Sequence, residues 1–240
     1  MIFKRFIFWL KKLRYIIHII YFNFHYLPIK QASKLPIFLY NPHLLCCKGR
    51  ILLKPENGII KTGMIRLGYR NVSIYPNNGI IWENKGGVVV FKGECNIGNA
   101  SAIAIGKNGI LILGKGVSST AALKIACQHS ITIGNQTLFG WEVTIMDSDF
   151  HKVTYTNGET SPRGYAPIII GNECWIGYKS QIMKGTVLAE RIIVSSNSLC
   201  NKKYTKPCIL LAGQPATIKR TGIYRDFQND VIDYPIIDGY

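Results

Sequence analysis

The chain is 240 residues long, 48% hydrophobic, with 23 glycines and a formal net charge of +16. That length allows one large domain or two small ones, and the apolar content argues against a disordered chain. The basic excess points to anionic partners, while seven cysteines without a Cys-x-x-Cys pair argue against a disulfide framework or a zinc centre and fit free thiols in a reducing cytoplasm.

Residues 1–27 mix aromatic and aliphatic residues with five basic ones, Lys4, Arg5, Lys11, Lys12 and Arg14, and no acid occurs before Glu56. The uncharged run from Tyr15 to Ile29 is shorter than the roughly 20 residues that span a bilayer, and no small-residue cleavage site follows it. Two readings stay open, with a single-pass anchor as a lesser third. One is an amphipathic helix on an anionic membrane surface; the other is a helix packed on the rest of the protein or on a neighbouring subunit. Residues 1–50 therefore form a basic aromatic segment, helical at least in part. From residue 51 to 221, glycines punctuate short apolar runs, at first with irregular spacing, as in the first coils and cap of a solenoid. Residues 222–240 are predicted as a short helix and tail.

The strongest signal runs from Ile170 through Ile176, Ile182, Leu188 and Val194 to Cys200, in steps of six. A helix gives steps of three and four, and a strand gives steps of two. A strict six is the period of a hexapeptide β-helix, with three hexads to a triangular coil. Four positions after each aliphatic stand Cys174, Ser180, Thr186, Ile192 and Ser198, mostly small, as a tight corner requires. Gly171 and Gly177 follow the aliphatic directly, where the backbone is predicted to turn sharply. Earlier, Ile105, Leu111, Val117 and Leu123 keep the same step in another phase, as do Ile133, Phe139 and Ile145, so some sides or corners are longer. Between Asp147 and Pro167 the repeat stops and a polar insertion, 147–167, leaves and rejoins the coil. Insertions of this length in a regular solenoid are usually functional.

The insertion contains Asp147-Ser148-Asp149-Phe150-His151. A hydroxyl is a poor nucleophile at neutral pH, and a general base that takes its proton contributes roughly 10²- to 10⁴-fold. His151 is the candidate base, with Asp149 or Asp147 to orient its ring. Trp141, Asp147 and Arg163, at and within the insertion, are candidates for binding an acceptor through an aromatic face and polar groups. A thiol nucleophile is the rival, but no cysteine has a histidine beside it in sequence.

The Ile-Gly hexads, the Trp175-Ile176-Gly177 string, Ala212 to Ala216 and the histidine in a looped-out segment resemble the hexapeptide-repeat acyltransferases. The nearest flavour is the maltose and galactoside O-acetyltransferases and relatives that acetylate capsular, exopolysaccharide or lipopolysaccharide sugars. The resemblance covers about residues 59–220 and is specific from Phe139 onward. It implies an all-β left-handed parallel β-helix, a homotrimer, acetyl-CoA as acyl donor without a metal, and catalysis by the histidine at the position of His151. It places Trp175, Gly177 and Tyr178 beside the thiol end of the coenzyme and Ser196 where a small residue admits the pantetheine arm. Asn201 and Lys202 match a Thr-Lys pair of relatives, with Asn a departure, and Lys219 and Arg220 match basic residues near the 3′-phosphate.

The sequence-level expectation is thus an acetyl-CoA-dependent O-acetyltransferase acting on a sugar or lipid-linked glycan, cytoplasmic, peripheral on the inner face of the membrane. Alternatives are transfer to an amine or to serine, or a non-catalytic membrane-associated β-helix. A nucleic-acid partner is not expected, because basic and aromatic residues interleave only in residues 1–27. A three-histidine zinc site is not available within the coils, where only His129 and His151 occur.

Overall fold

The computed structural model describes residues 15–159 and 162–232. The basic residues from Lys4 to Arg14 and the tail 233–240 lie outside these. Among the described residues twenty-three strands wind into three sheets, a first that starts at Ile37–Leu39, a middle that starts at Pro42–Cys47 and a last that starts at Arg50–Leu53. Each takes every third strand in parallel, and Ala216–Thr221 alone joins the first antiparallel. Three sides repeated in this way are the triangular coil that the six-residue step demands, and the architecture is a left-handed parallel β-helix. The inward row is apolar: Ile170, Ile176, Ile182, Leu188, Val194 and Cys200 are all buried. Their neighbours point outward, so each two- or three-residue side buries one or two side chains.

Register explains the phase slips. Trp175 pairs with Ile193 and Gln181 with Leu199, eighteen residues per coil. Earlier coils are longer: Ile131 pairs with Leu111, twenty residues back, and Ile125 with Ile103, twenty-two back. The coil also begins before residue 51. Ile37–Leu39 already pairs in parallel with Ile65–Tyr69, and Pro42–Cys47 with Ile80–Asn84.

The corners differ from the sequence expectation in one respect. Gly171 and Gly177 are not the left-handed residues. Those are Glu173, Lys179, Gly185, Arg191 and Asn197, again six apart, with φ between 56° and 77°. The two glycines serve close approach instead. A Cβ on Gly171 would stand 2.6 Å from the backbone of Ala189, and one on Gly177 would stand 2.7 Å from that of Ser196. The small corner residues are buried and bonded across coils: Thr186 donates to the Cys200 carbonyl and Ser180 to that of Ser195, at 2.8 and 2.9 Å. Polar groups enclosed at a corner would otherwise go unsatisfied.

Both ends are covered. A helix over 15–26 caps the first coils with Phe22, edge-on to Trp82 at 5.2 Å, and with Tyr26, whose hydroxyl accepts from the Trp82 indole at 3.0 Å. Buried Asn23 both donates to the Ile37 carbonyl and accepts from its N–H, which closes the edge of the first strand. At the other end Ala216–Thr221 folds back antiparallel on Ile209–Gly213. Residues 222–232 contain no helix, and the rest of the stretch 222–240, where a short helix and tail are expected, lies outside the described residues; 222–232 run back along the coils, and Arg225 donates to the Gln136 carbonyl at 2.8 Å.

Candidate active site

The insertion replaces one corner. Met146 is in register with Met183, and Ile169 with Val187, so the twenty-one residues 147–167 stand where only Lys184 and Gly185 stand one coil later. The sequence places Asp147 at the exit of this loop, and the fold gives it a structural task. Asp147 is fully buried, and its carboxylate accepts the backbone N–H groups of Gln128, His129 and Ser130 at 2.7, 2.8 and 2.7 Å. Both oxygens are therefore engaged by the previous coil, which leaves Asp147 a corner anchor and not the partner of a ring or a sugar.

The loop returns beside its own start. Asp149 donates its N–H to the Gly164 carbonyl at 2.7 Å, Ala166 donates to the Asp147 carbonyl at 3.1 Å, and Ser148 and Tyr165 form an antiparallel bridge. Lys184, on the next coil, clamps both arms: its ammonium pairs with Asp149 at 2.5 Å and donates to the Arg163 carbonyl at 3.3 Å. Sequence reasoning missed Lys184. Its only signal was its position, directly under the loop at the equivalent corner.

Between the clamp and the outward face of the middle sheet lies a cavity of about 320 Å³, lined by Met146, Asp149, Met183, Lys184, Leu199 and Asn201, with Ser148 at its edge. It brings Asp149 and Asn201 together. Phe150 is held left-handed at φ 61°, with its N–H donated to Ser148 Oγ at 3.1 Å. A bulky residue in this region costs on the order of 1 kcal/mol or more, and such strain concentrates at functional sites. His151 follows this bend, exposed, and among the described residues its ring makes no hydrogen bond; Asp149 faces Lys184 instead. Gly164 lies across from it, where an added Cβ would stand 3.4 Å from the His151 carbonyl.

The other predicted residues divide into two groups. Trp141 and Tyr178 pack edge-to-face at the corner before the middle sheet, ring centroids 6.3 Å apart, with Tyr75 edge-on beyond Trp141 at another 6.3 Å and donating its hydroxyl to Glu142 at 2.7 Å. Trp175 is exposed on the first sheet, and Lys219 and Arg220 are exposed on its last, antiparallel strand. That sheet is the side of the triangle opposite the corner that carries the loop. Ser196 is exposed, its N–H close above Gly177, and Asn201 and Lys202 are exposed at the corner after Leu199–Cys200. One chain thus holds the loop residues and the Trp175, Lys219 and Arg220 set on different sides.

The four buried thiols are ill-suited to attack. Burial pushes those of Cys95, Cys127, Cys174 and Cys200 up to about 12. Among the described residues no group of three or more His, Cys, Asp or Glu is arranged to hold a metal ion.

A β-helix with a looped-out, exposed histidine defines the class: the chain resembles the hexapeptide-repeat acyltransferases. No model of a known protein family matches it. A protein of Escherichia coli K12 named for O-acetyl transfer in lipopolysaccharide biosynthesis is 23% identical over 151 residues, 54% of this chain and 76% of that protein. A 24.8 kDa protein in the cps region of Klebsiella pneumoniae is 29% identical over 163 residues, 68% of this chain and 72% of that one. Among solved structures, the polySia-specific acetyltransferase NeuO shares the fold with a TM-score of 0.50 at 19% identity, over 77% of this chain and 88% of that one.

Proposed function

We propose that the chain is an O-acetyltransferase that moves an acetyl group from acetyl-CoA to a sugar hydroxyl in the biosynthesis of a surface polysaccharide: capsule, exopolysaccharide or lipopolysaccharide. The observation that carries this reading is His151 held out in solvent on a clamped loop, two residues beyond Asp149, which lines a cavity on the outward face of a β-helix. His151 takes the proton of the attacking hydroxyl as the new C–O bond forms at the acetyl carbonyl; the C–S bond then breaks, and the proton passes to the departing thiolate. Asp149 supports the loop geometry through Lys184. The buried, unreactive thiols favour direct transfer over a covalent cysteine intermediate. Incubation of the protein with acetyl-CoA and a panel of sugars, read as release of free thiol, tests the activity; no release above the rate with buffer alone removes it.

The donor side is assigned to Trp175, Gly177, Tyr178, Ser196, Asn201 and Lys202, with Lys219 and Arg220 at the 3′-phosphate; Trp141 and Arg163 face the acceptor. The separation of the loop from Trp175, Lys219 and Arg220 on opposite sides of one triangle supports a homotrimer, in which one copy's loop meets a neighbour's sheet. Sedimentation equilibrium checks this, and a monomer with full activity would overturn it. Phosphate contacts are made equally before and during reaction, so Lys219→Ala with Arg220→Ala raises KM for acetyl-CoA, leaves kcat unchanged, and spares the dephospho donor.

The helix over 15–26 supports a peripheral place on the inner face of the membrane. Ile19, Phe22, Asn23 and Tyr26 face the coils, while Ile16, Ile17, Ile20, Tyr21 and Phe24 are exposed, and the sequence before them carries five basic residues. No helix among the described residues is long and apolar enough to cross a membrane. Flotation with vesicles containing anionic lipid should lose its salt-sensitive binding when residues 1–27 are removed.

A further inference from the structure

Resting on the acetyltransferase reading, the geometry points to an acceptor that carries an anionic group, held by Arg163 beside His151. The first observation is the charge inventory of the loop. Asp147 is buried and saturated by three backbone N–H groups, and Asp149 is neutralised by Lys184. Glu159 follows the turn at Asn157-Gly158, is exposed, and forms no ion pair with Arg163 among the described residues. His151, Lys152 and Arg163 are all exposed, and Arg163 has no carboxylate partner among the described residues. The base of the loop therefore presents cationic groups whose nearby acids are already engaged.

The second observation is that Arg163 is positioned. Its guanidinium carbon lies 5.5 Å from the centroid of the Tyr165 ring, and that ring packs on His129 at 4.8 Å. Tyr165 is in turn fixed by its bridge to Ser148, and the Arg163 carbonyl is fixed by Lys184. A guanidinium stacked on an aromatic face keeps its planar fork of donors free at the edge, the geometry that matches a carboxylate or phosphate in bidentate fashion. Stacking also lowers the freedom that the side chain loses on binding. Because 147–149 and 164–166 run antiparallel, Arg163 sits across the loop from His151, within reach of one sugar unit.

Either a carboxylate on the sugar ring or a phosphate ester at its anomeric carbon supplies this chemistry. Binding of methyl glucuronoside, methyl glucoside and glucose 1-phosphate is measured by saturation-transfer NMR without acetyl-CoA, on the full chain and on Arg163→Gln and Arg163→Lys. The expected result is at least tenfold tighter binding of one charged probe over methyl glucoside, with the advantage lost in Arg163→Gln and partly kept in Arg163→Lys. The probe that gains identifies the source of the charge. KM for acetyl-CoA should stay unchanged in both variants. Equal binding of charged and neutral probes overturns the inference, as does an Arg163→Gln effect confined to acetyl-CoA. Arg163-dependent binding of a charged probe without thiol release on any sugar would keep the anion site and remove the acetyltransferase reading.

Discussion

The loop 147–167 and the coils from Ile168 to Tyr204 leave and enter the same sheet edges, yet they handle polar groups in opposite ways. In the coils the buried polar corner residues are bonded: Thr186, Ser180 and Cys174 donate to neighbouring carbonyls at 2.8, 2.9 and 3.2 Å, and Ser198 accepts the Gly213 N–H at 3.3 Å. Each coil is a copy of the last, so the sides carry little besides stability. The loop is tied down at its base by Asp147, the Ser148–Tyr165 bridge and the Lys184 clamp. Beyond that base it keeps His151 and Arg163 in solvent. The scaffold supplies rigidity, and the interruption supplies chemistry.

The largest test of this division is to remove the interruption. Replacement of residues 147–167 by Lys-Gly, the two residues at the equivalent corner of the next coil, should preserve the β-helix by circular dichroism and abolish turnover. A chimera that keeps measurable activity would place the chemistry on the coils. Next in size, His151→Ala should lower kcat by about 10²- to 10⁴-fold with little change in acetyl-CoA affinity or in Tm. Unchanged turnover would remove His151 from the mechanism.

Asp147→Ala acts on the other side of the comparison. Three N–H groups lose a charged acceptor at a partly buried corner, which costs about 3 kcal/mol. Tm should fall by about 6–12 °C, and the loop should become sensitive to protease before the coils do. A change of under 2 °C would mean that the anchor is redundant. Smallest is Lys184→Met. The pair with Asp149 is about one-third exposed on each side, so its loss should change stability by about 1 kcal/mol or less. The expected effect lies in function: kcat lower by about tenfold at unchanged KM for acetyl-CoA, with Lys184→Arg restoring most of it. Loss of stability without loss of kcat would make the clamp merely structural.

How much of this was legible in the sequence depends on whether a feature is local or repeated. The six-residue step was visible because each coil meets the same environment as its neighbours, so the pattern is written many times. The polar interruption was visible as its absence, and His151 stood out within it. The corner that turns left-handed was misplaced onto Gly171 and Gly177, because close approach and positive φ both favour glycine and only the neighbouring backbone distinguishes them. The start of the coils at Ile37 was hidden by longer, irregular turns.

The amino-acid sequence by itself determined the period, hence the triangular coil, and the residue types available for acyl transfer. Only the tertiary structure decided which of those residues meet. Asp147 reaches back to Gln128–Ser130, Lys184 reaches up to Asp149, His129 packs on Tyr165, and Asn23 closes the edge at Ile37. Each of these contacts joins residues fourteen to thirty-six positions apart. Their partners are set by how many residues each coil holds and by where the chain departs from it, quantities that a local pattern of residue types does not contain.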